Sequence, residues 1–344
     1  DKLSLTTPAM YGGGKAGEAA RIVTDTLVWN GGTAGPAALP GAVLAGGAGT
    51  GSGTLDVSAR RIEFGYGPDT RPDTLADAQR LILGFADVRL NASERITANH
   101  KGSLAVHQSQ GAYAAGKGYA YAGGDLYLNT PLLTGQAGSV NRITAGGALN
   151  IAGAGAGLGG PAALAGSDAL GAELLLAGNS VTLDTAVVLP SGKLTLAATG
   201  DVRLLDGAQL DMAGRKVSIH DADKYSWGGE VILTSRSGNI AQAAAAGIDV
   251  SARNNQGGKV QAIALDAGAG KVDLQGRLLG GASGRYDAGG TVLPYKGGVV
   301  DIRAQDVGDF AALNRRLNDG KVDGERSFQI KRADLTPGDE TRPG

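Results

Sequence analysis

Residues 180–220 read SVTLDTAVVLPSGKLTLAATGDVRLLDGAQLDMAGRKVSIH and repeat one short apolar phrase six times. The phrases end 6, 7, 8, 8 and 7 residues apart, at Leu183, Leu189, Leu196, Leu204, Met212 and Ile219. All but one are apolar-polar-apolar triplets, which predict short half-buried strands. Turns every seven or so residues leave no room for a crossover helix, so the strands are predicted to coil. Three steps cover 21 to 23 residues, which fits one turn of a parallel β-helix.

The composition is consistent with this interpretation. Glycine accounts for 59 of 344 residues, against a usual share of roughly 7%, and aromatic residues are only 4%. In a narrow solenoid the inward side chains stack on their equivalents about 4.8 Å away, so small aliphatic residues fit better than rings. Glycine supplies the corners with positive φ. We therefore predict an all-β protein folded as a parallel β-helix.

Charge and apolar runs exclude several classes of protein. The net charge is −1, with acids and bases interspersed, so we expect no nucleic-acid partner. No apolar run reaches the 18 residues that a membrane-spanning helix needs, and we expect no membrane-spanning segment. The chain opens at Asp1 without the features of a secretion signal, so any such signal is expected outside this sequence. Cysteine is absent, which fits either a cytosolic protein or one secreted unfolded.

The chain is predicted to have three parts. Residues 1–53 are expected to hold N-terminal strands and a Gly/Ala/Pro-rich loop, residues 54–308 the parallel β-helix, and residues 309–344 a C-terminal helix and polar tail. Insertions that interrupt the β-helix are expected at about 72–84, 111–124, 153–171, 220–229 and 280–296.

Two short helices are predicted within this plan. Thr74 and Asp77 match a capping box ahead of Leu75, Ala78 and Ile82 at helical spacing, which predicts a short inserted helix. Residues 309–317 place Phe310, Leu313 and Leu317 at helical spacing with basic residues in the last turn, which predicts a second, amphipathic helix. An open solenoid end exposes strand edges and apolar interior, so these three side chains are the candidates that cap it.

Several longer phrases carry a resemblance to a known family. They are RIEFGYGP at 61–68, LGFADVRLNAS at 83–93, QSQGAY at 108–113, DFAALNRRL at 309–317 and ERSFQ at 325–329. With these phrases the chain resembles the C-terminal region of the filamentous haemagglutinin family of large exoproteins, and the likeness runs across most of its length.

The resemblance implies a Gram-negative protein that a dedicated outer-membrane partner secretes. Members of this family fold as right-handed parallel β-helices and act as adhesins or as stalks that present a toxin. Location at the bacterial surface or in the medium is therefore expected, with a host-surface glycan or protein, or a biofilm polysaccharide, as the further partner. The region of the family that this chain resembles has no assigned catalytic residues, so the resemblance implies none here.

Motifs for enzymes are weak in this chain. Residues 155–160 satisfy G-x-G-x-x-G, but they lie in an Ala/Gly stretch followed by Pro161 rather than between a strand and a helix, so no dinucleotide cofactor is expected. His100, His107 and His220 lack the spacing of metal ligands, and no metal is expected. A β-helix polysaccharide hydrolase or lyase stays open as the alternative function. It would need convergent carboxylates, for which the candidates are Asp201, Asp206, Asp211, Asp221 and Asp223, whereas aspartate is also an ordinary turn residue.

Aromatic residues cluster in the predicted insertions and are the candidate ligand-binding residues. The first choice is the segment 220–229, where Tyr225 and Trp227 are separated by one residue and Asp221, Asp223 and Lys224 supply polar contacts. Tyr113, Tyr119 and Tyr121 form a second group, and Tyr286 and Tyr295 flank a third insertion. Such rings either present a face to a sugar or a partner, or fold back over exposed strand edges as lids.

The sequence thus leaves three functions to compare. The preferred one is a structural and adhesive segment of a secreted exoprotein, without catalysis and without a cofactor. A polysaccharide enzyme predicts two or more carboxylates with Arg or Lys in one groove, and a toxin predicts a compact non-repetitive domain, which the sequence does not contain.

Overall fold

The computed structural model describes residues 1–32, 47–65, 77–153 and 168–332. Strands dominate these residues, and α1 (Phe310–Asp319) is the single α-helix among them. The chain divides into two compact units. Unit 1 comprises residues 1–133, 139–162 and 174–181, and unit 2 comprises residues 134–138, 163–173 and 182–344.

Unit 1 is built from two parallel ladders. One ladder runs β1–β4–β5–β7–β11–β14 and the other runs β2–β6–β8–β13. The strands of the first half of the chain are β1 (Lys2–Leu5), β2 (Ala9–Tyr11), β3 (Ala19–Val23), β4 (Thr26–Trp29), β5 (Gly53–Phe64), β6 (Ala78–Leu83), β7 (Phe85–Ala98), β8 (Lys101–His107), β9 (Ser109–Ala114), β10 (Gly118–Ala122), β11 (Asp125–Asn129), β12 (Leu132–Gly135), β13 (Val140–Ala145), β14 (Leu149–Ala152) and β15 (Glu173–Gly178).

The second half of the chain continues with shorter strands. They are β16 (Val181–Asp184), β17 (Ala186–Val188), β18 (Lys193–Ala198), β19 (Val202–Leu204), β20 (Gln209–Asp211), β21 (Lys216–Ile219), β22 (Ala222–Tyr225), β23 (Glu230–Ser235), β24 (Ile240–Gln242), β25 (Gly247–Asp249), β26 (Lys259–Ala264), β27 (Lys271–Leu274), β28 (Arg277–Leu279), β29 (Arg285–Asp287), β30 (Val292–Pro294), β31 (Val299–Ala304), β32 (Asp306–Val307) and β33 (Glu325–Ile330).

In unit 2 the strands form three parallel ladders, and the chain passes through these ladders in the same order in each repeat. They are β18–β23–β26–β31–β33, β19–β24–β27–β32 and β17–β20–β25–β28. Within these ladders Leu196 pairs with Leu233, and Leu233 with Ala262. All three side chains are buried, as the alternation of apolar and polar residues predicts. The prediction of an all-β fold with long parallel sheets is confirmed.

Three antiparallel hairpins project from the ladders: β9–β10, β21–β22 and β29–β30. The third lies within the predicted insertion 280–296, whereas the first and second overlap the insertions 111–124 and 220–229 but begin before them. The second hairpin begins earlier than expected, because the phrase Val217–Ile219 pairs antiparallel with Ala222–Lys224 instead of joining a parallel ladder. The interpretation of that phrase as a strand of the repeat was therefore wrong. An apolar triplet does not specify its partner, and the tight turn at His220, with φ of 51°, returns the chain at once.

The predicted inserted helix is also wrong where the structure describes it. Ala78 and Ile82 lie in β6, which pairs in parallel with β2 and β8. Thr74 and Leu75 lie outside the described residues. The strand buries Leu81, Ile82 and Leu83 in succession, a pattern that suits a strand covered on both faces and resembles a helix only by spacing.

The C-terminal helix is confirmed. The side chain of Asp309 caps α1 by accepting a hydrogen bond from the Ala312 amide at 2.9 Å. Leu313 and Leu317 are buried, and the half-buried Phe310 packs edge-on against Phe328, with ring centroids 5.0 Å apart. No helix in the described parts of the chain is long and apolar enough to cross a bilayer.

Residues beyond α1 differ from the predicted polar tail. Glu325–Ile330 forms β33, which adds one more strand to the ladder of β31. Helix α1 contacts β28, and the Gly280 amide donates to the Gly320 carbonyl at 2.8 Å. The helix therefore lies over the last strand of the ladder β17–β20–β25–β28. Of its two arginines, Arg315 is exposed and Arg316 is half-buried.

Loss of this helix is expected to expose the edge of β28 and cause aggregation. Leu317→Asp places a carboxylate in a side-chain site that is 0% exposed, and deletion from Asp309 onward also removes β33. We expect light scattering to show larger species for both changes, because unpaired strand edges and apolar surface associate. Arg315→Ala, on the exposed face of the same helix, is the matched control. Soluble monomers for both the variant and the deletion would show that α1 does not cap this ladder.

Candidate functional site

Exposed aromatic side chains concentrate on the three hairpins. Tyr113, on the first hairpin, is 39% exposed, and Trp227, just after the second, is 56% exposed. On the third hairpin Tyr286 stacks on Tyr295, with centroids 5.1 Å apart and planes 30° apart. Rings that lie outside the tightly packed ladders are free to keep one face and their polar atoms hydrated.

The hairpin β21–β22 has two different faces. Cross-strand pairing places Lys216, Ser218, Asp223 and Tyr225 on one face, since side chains alternate along each strand. On this face Asp223 forms an ion pair with Lys216 at 2.8 Å and accepts a hydrogen bond from the Ser218 hydroxyl at 2.8 Å. Lys224 extends from the opposite face, beside Val217.

The charges on this hairpin stabilise each other. The hydrogen bond from Lys216 lowers the pKa of the Asp223 carboxyl, and the hydroxyl of Ser218 lowers it further. The same carboxylate raises the pKa of Lys216. Asp223 is therefore ionised and already paired at neutral pH, which suits it to fixing the hairpin rather than to donating a proton.

Tyr225 packs at the base of the hairpin rather than at its tip. The guanidinium carbon of Arg253 lies 5.9 Å from the centroid of its ring, within cation–π range. Its carbonyl oxygen accepts a hydrogen bond from the side-chain amide of Asn255 at 2.8 Å. The ring is half-buried, so Tyr225 acts mainly as an anchor for the hairpin.

Trp227 follows the hairpin and is positioned by its backbone. The hydroxyl oxygen of Ser191 lies 2.6 Å from the Trp227 carbonyl oxygen and 2.6 Å from the Ser226 hydroxyl. Ser226 in turn exchanges backbone and side-chain hydrogen bonds with Arg215. The indole is thus exposed on a chain segment whose backbone is held firmly.

A groove of about 610 Å³ lies beside Trp227 within unit 2. Its floor is a column of glycines that stack at equivalent corners, Gly192, Gly229 and Gly258. A Cβ atom at Gly229 would lie 2.3 Å from the Gly192 carbonyl oxygen, and one at Gly258 would lie 1.9 Å from that of Gly229. Only glycine therefore fits this floor, which leaves backbone groups open to the groove.

Charged side chains alternate along one side of this groove. Lys193, Glu230 and Lys259 are cross-strand neighbours at the start of β18, β23 and β26, and all three line the groove. The Lys193 amine lies 3.4 Å from the Glu230 carboxylate. Since opposite charges face each other here, the row offers both donors and acceptors without a strong net field.

The structure separates the candidate residues of segment 220–229 into three places. Tyr225 and Asp223 share one face of the hairpin, Lys224 lies on the other, and Trp227 lines the groove. Asp221 is exposed beside the turn residue His220. Tyr225 and Trp227, which were expected to be aimed together, therefore have different surroundings.

The hairpin β9–β10 carries a continuous row of rings. Tyr121 stacks on His107 of β8, with centroids 4.8 Å apart and planes 20° apart. Tyr119 lies 6.4 Å from Tyr121 and 5.2 Å from Tyr113, in tilted and edge-to-face contacts. Burial lowers the pKa of His107, which keeps the stacked imidazole neutral near pH 7. The three predicted tyrosines are thus brought together.

Four of the five aspartates considered for catalysis have local structural partners. Asp201 accepts a hydrogen bond from the Asn239 amide, which lowers the pKa of its carboxyl, and pairs with Arg203 at 2.7 Å. Asp206 accepts from the Ala245 amide at 3.4 Å. Asp211 accepts from the Ala213 amide at 3.1 Å and pairs with Arg215. Among the residues that the structure describes, no group of three His, Cys, Asp or Glu is arranged to hold a metal ion.

Sequence reasoning missed the residues that position these rings. Ser191 has a left-handed backbone with φ of 52° and follows Pro190, which suggests a corner but not its contact with Trp227. Arg253 and Asn255 carry no sequence signal for their contacts with Tyr225. Comparisons of the chain with family models, curated proteins and solved structures found no match.

Proposed function

We propose that this chain is a non-catalytic structural and adhesive segment of a secreted bacterial exoprotein of the filamentous haemagglutinin type. Its activity would be attachment through exposed rings, or presentation of a functional domain carried elsewhere in the polypeptide. Trp227, more than half exposed beside a glycine-floored groove, is the observation that supports attachment most directly. Indole and phenol rings bind sugar faces by stacking, and their polar atoms remain free for hydrogen bonds.

The fold that we propose is a right-handed parallel β-helix. Its support in unit 2 is the recurrence of three ladders in chain order, each strand pairing in register with its equivalent one repeat later. Parallel strands joined by crossovers take the right-handed sense in nearly all known cases. Within each unit the hairpins would then be insertions in the solenoid, and in unit 2 α1 would cover it.

The contacts of the aspartates favour this function over a polysaccharide enzyme. A glycoside hydrolase needs two carboxylates about 5 to 9.5 Å apart across the cleaved bond, one of them with a raised pKa. Here the pKa values of the Asp201 and Asp223 carboxyls are lowered. Both side chains form ion pairs with neighbouring basic residues. These groups are suited to holding turns.

The partners follow from the proposed family. An outer-membrane partner would secrete the full-length protein from a Gram-negative cell, and the segment would remain at the cell surface or be released. There its ligand would be a host-surface glycan or protein, or a biofilm polysaccharide. Single stacking sites bind with roughly millimolar to micromolar affinity, and many copies on one surface raise the effective affinity.

The test of the adhesive function is a glycan array and a host-cell binding assay with the double variant Trp227→Ala, Tyr225→Ala. We expect binding to fall about tenfold, because the lost contact of Trp227 is worth ~0.5–1.5 kcal/mol beyond its buried area and the loss of Tyr225 releases the hairpin. The single variants separate the two roles. Trp227→Ala should carry most of the loss, and Tyr225→Ala should act through the position of the hairpin.

The matched control is Ile219→Ala, which removes a side chain that is 53% exposed on the same hairpin. Circular dichroism checks that every variant keeps its strands. If the folded double variant binds glycans and cells as well as the parent chain, the aromatic segment is a lid over strand edges and the chain is better described as a stalk.

A further inference from the structure

A second groove lies within unit 1, at the foot of the hairpin β9–β10. Its volume is about 650 Å³. One wall is the segment 47–52, and the other is the hairpin with Tyr113, Tyr119 and Gln110. Leu83 and the rings of Tyr113 and Tyr119 contribute apolar surface to the lining.

Glycine packing fixes the backbone of the wall formed by segment 47–52. The Gly49 and Gly51 amides both donate to the Gly12 carbonyl, at 2.8 and 3.1 Å. A Cβ atom at Gly51 would lie 2.7 Å from the carbonyl oxygens of Gly14 and Gly84. The close stacking of these backbone segments brings peptide groups to the surface where side chains would otherwise cover them.

The aromatic wall is fixed from behind. The stack of Tyr121 on His107 joins the hairpin to β8, and the row continues through Tyr119 to Tyr113. The planes of Tyr113 and Tyr119 differ by 67°, so one ring supports the edge of the other. Tyr113 is 39% exposed, and it offers a flat surface that is already ordered before any ligand arrives.

The described lining of the groove contains no charged side chain. Its polar groups are hydroxyls and amides, from Thr50, Ser52, Gln108, Ser109 and Gln110. Aromatic faces combined with amides and hydroxyls match the surface of a sugar ring, which has an apolar face of C–H groups and a rim of hydroxyls. A carboxylate or ammonium on the ligand would lose water here without gaining a counter-charge.

We propose that this groove binds an uncharged oligosaccharide, with Tyr113 stacking on a sugar ring and Gln110 and Gln108 bonding its hydroxyls. The proposal rests on the proposed adhesive function and assigns it a second site in unit 1. This site selects neutral sugars, whereas the groove beside Trp227 carries the alternating row Lys193, Glu230 and Lys259.

A proline-rich peptide is the other ligand that an aromatic groove suggests. Proteins that bind such peptides use grooves formed between aromatic side chains, into which proline rings insert. Here the two tyrosines meet edge to face, and the opposite wall is glycine backbone with Thr50 and Ser52. This arrangement gives one flat platform with polar groups facing it, which favours the saccharide.

The test is an NMR titration of the whole chain, with isotope-labelled tyrosine rings, against four probes. Cellohexaose and maltohexaose are the neutral probes, hexagalacturonate is the acidic one, and a proline decapeptide is the peptide. We expect the neutral hexasaccharides to shift the rings of the hairpin tyrosines. The acidic hexamer should bind about tenfold more weakly, because its carboxylates find no cation in the described lining of the groove.

Variants assign the binding to the groove. Tyr113→Ala should lower the association constant for the neutral probe roughly fivefold, and Gln110→Ala roughly threefold through a lost hydrogen bond. Lys117→Ala, at the exposed turn of the same hairpin, is the matched control and should change nothing. Saturation transfer to the C–H protons of the sugar gives a second readout that does not depend on the labelled tyrosine rings.

Each outcome distinguishes this site from the adhesive function as a whole. Neutral probes that bind no better than hexagalacturonate overturn the proposal, as does Tyr113-dependent binding of the proline peptide alone. If sugar binding survives Tyr113→Ala and Gln110→Ala but is lost in Trp227→Ala, the adhesive function stands and the groove in unit 1 is not a site. Loss in the first two variants with retention in the third supports it.

Discussion

Replacing Leu196 by aspartate is expected to unfold unit 2 at a much lower urea concentration. Leu196 is 0% exposed and lies in register with Leu233, which is also fully buried. An unpaired carboxylate at this position loses its water and finds no partner, which costs on the order of several kcal/mol. Because each repeat is stabilised mainly by its neighbours, the damage should spread along the ladder.

Thr195→Asp is the matched control, since Thr195 is adjacent on the same strand and half-exposed. It adds the same charge on the opposite face of β18 and should move the unfolding midpoint by far less. Circular dichroism during urea titration measures both variants, and Leu204→Asp, at a buried position of β19, repeats the test one strand later. An unchanged midpoint for Leu196→Asp would contradict the inward assignment.

The success of the sequence in predicting the ladders has a physical origin. Where a strand buries one face, its apolar residues alternate with polar ones. The triplets ending at Leu196 and Leu204 follow this pattern. Their spacing also carries the register, because Val187 pairs with Leu210 and Leu210 with Ile248 at equivalent points of successive repeats. A one-residue slip would turn every side chain to the other face, so the pattern is strongly constrained.

The predictions from the sequence fail where a segment pairs with a strand that is not one repeat away. Such a partner strand lies either much farther along the chain or directly after a turn. The segment around Ile82 resembles a helix, but its backbone hydrogen bonds are completed by β2 and β8, which its own residues do not specify. The phrase ending at Ile219 has the same triplet as its neighbours, yet it pairs with the next residues across a tight turn. Local pattern cannot distinguish these cases.

For the candidate sites, scarcity was the useful signal. Aromatic residues are rare in this chain, so their clusters indicated which insertions to consider as ligand-binding segments. The contacts that aim the rings come from other repeats, such as Arg253 beside Tyr225 and Ser191 beside the Trp227 backbone. Grooves floored by stacked glycines could not be predicted, because glycine marks any corner until the neighbouring backbone is known.

The second large effect is expected for Arg80→Ala in unit 1. Arg80 is only 2% exposed, and it shares the buried face of β6 with Ala78 and Ile82. Its guanidinium donates to three backbone carbonyls, those of Trp29 at 2.7 Å, Asn30 at 3.1 Å and Ser103 at 3.3 Å. The side chain therefore joins the turn after β4 to β8, across β6.

Truncation at Arg80 removes these donors and leaves a cavity. Each buried carbonyl that loses its partner costs about 1–3 kcal/mol, and the ring of Phe64, 5.8 Å from the guanidinium carbon, loses its cation. We expect a destabilisation on the order of several kcal/mol. Arg80→Lys should recover only part of it, because one ammonium group cannot reach all three carbonyl oxygens at once.

The tryptophans allow this effect to be measured in one unit at a time. Trp29 is buried in unit 1, where its indole donates to the Thr7 carbonyl at 2.7 Å, and the other tryptophan, Trp227, lies in unit 2. In a Trp227→Phe background the fluorescence therefore reports on Trp29 alone. Arg80→Ala should shift its emission to the red at a lower urea concentration, while Gln79→Ala, on the exposed face of the same strand, should not. If Arg80→Ala unfolds at the same urea concentration as Gln79→Ala, the buried guanidinium does not hold unit 1 together.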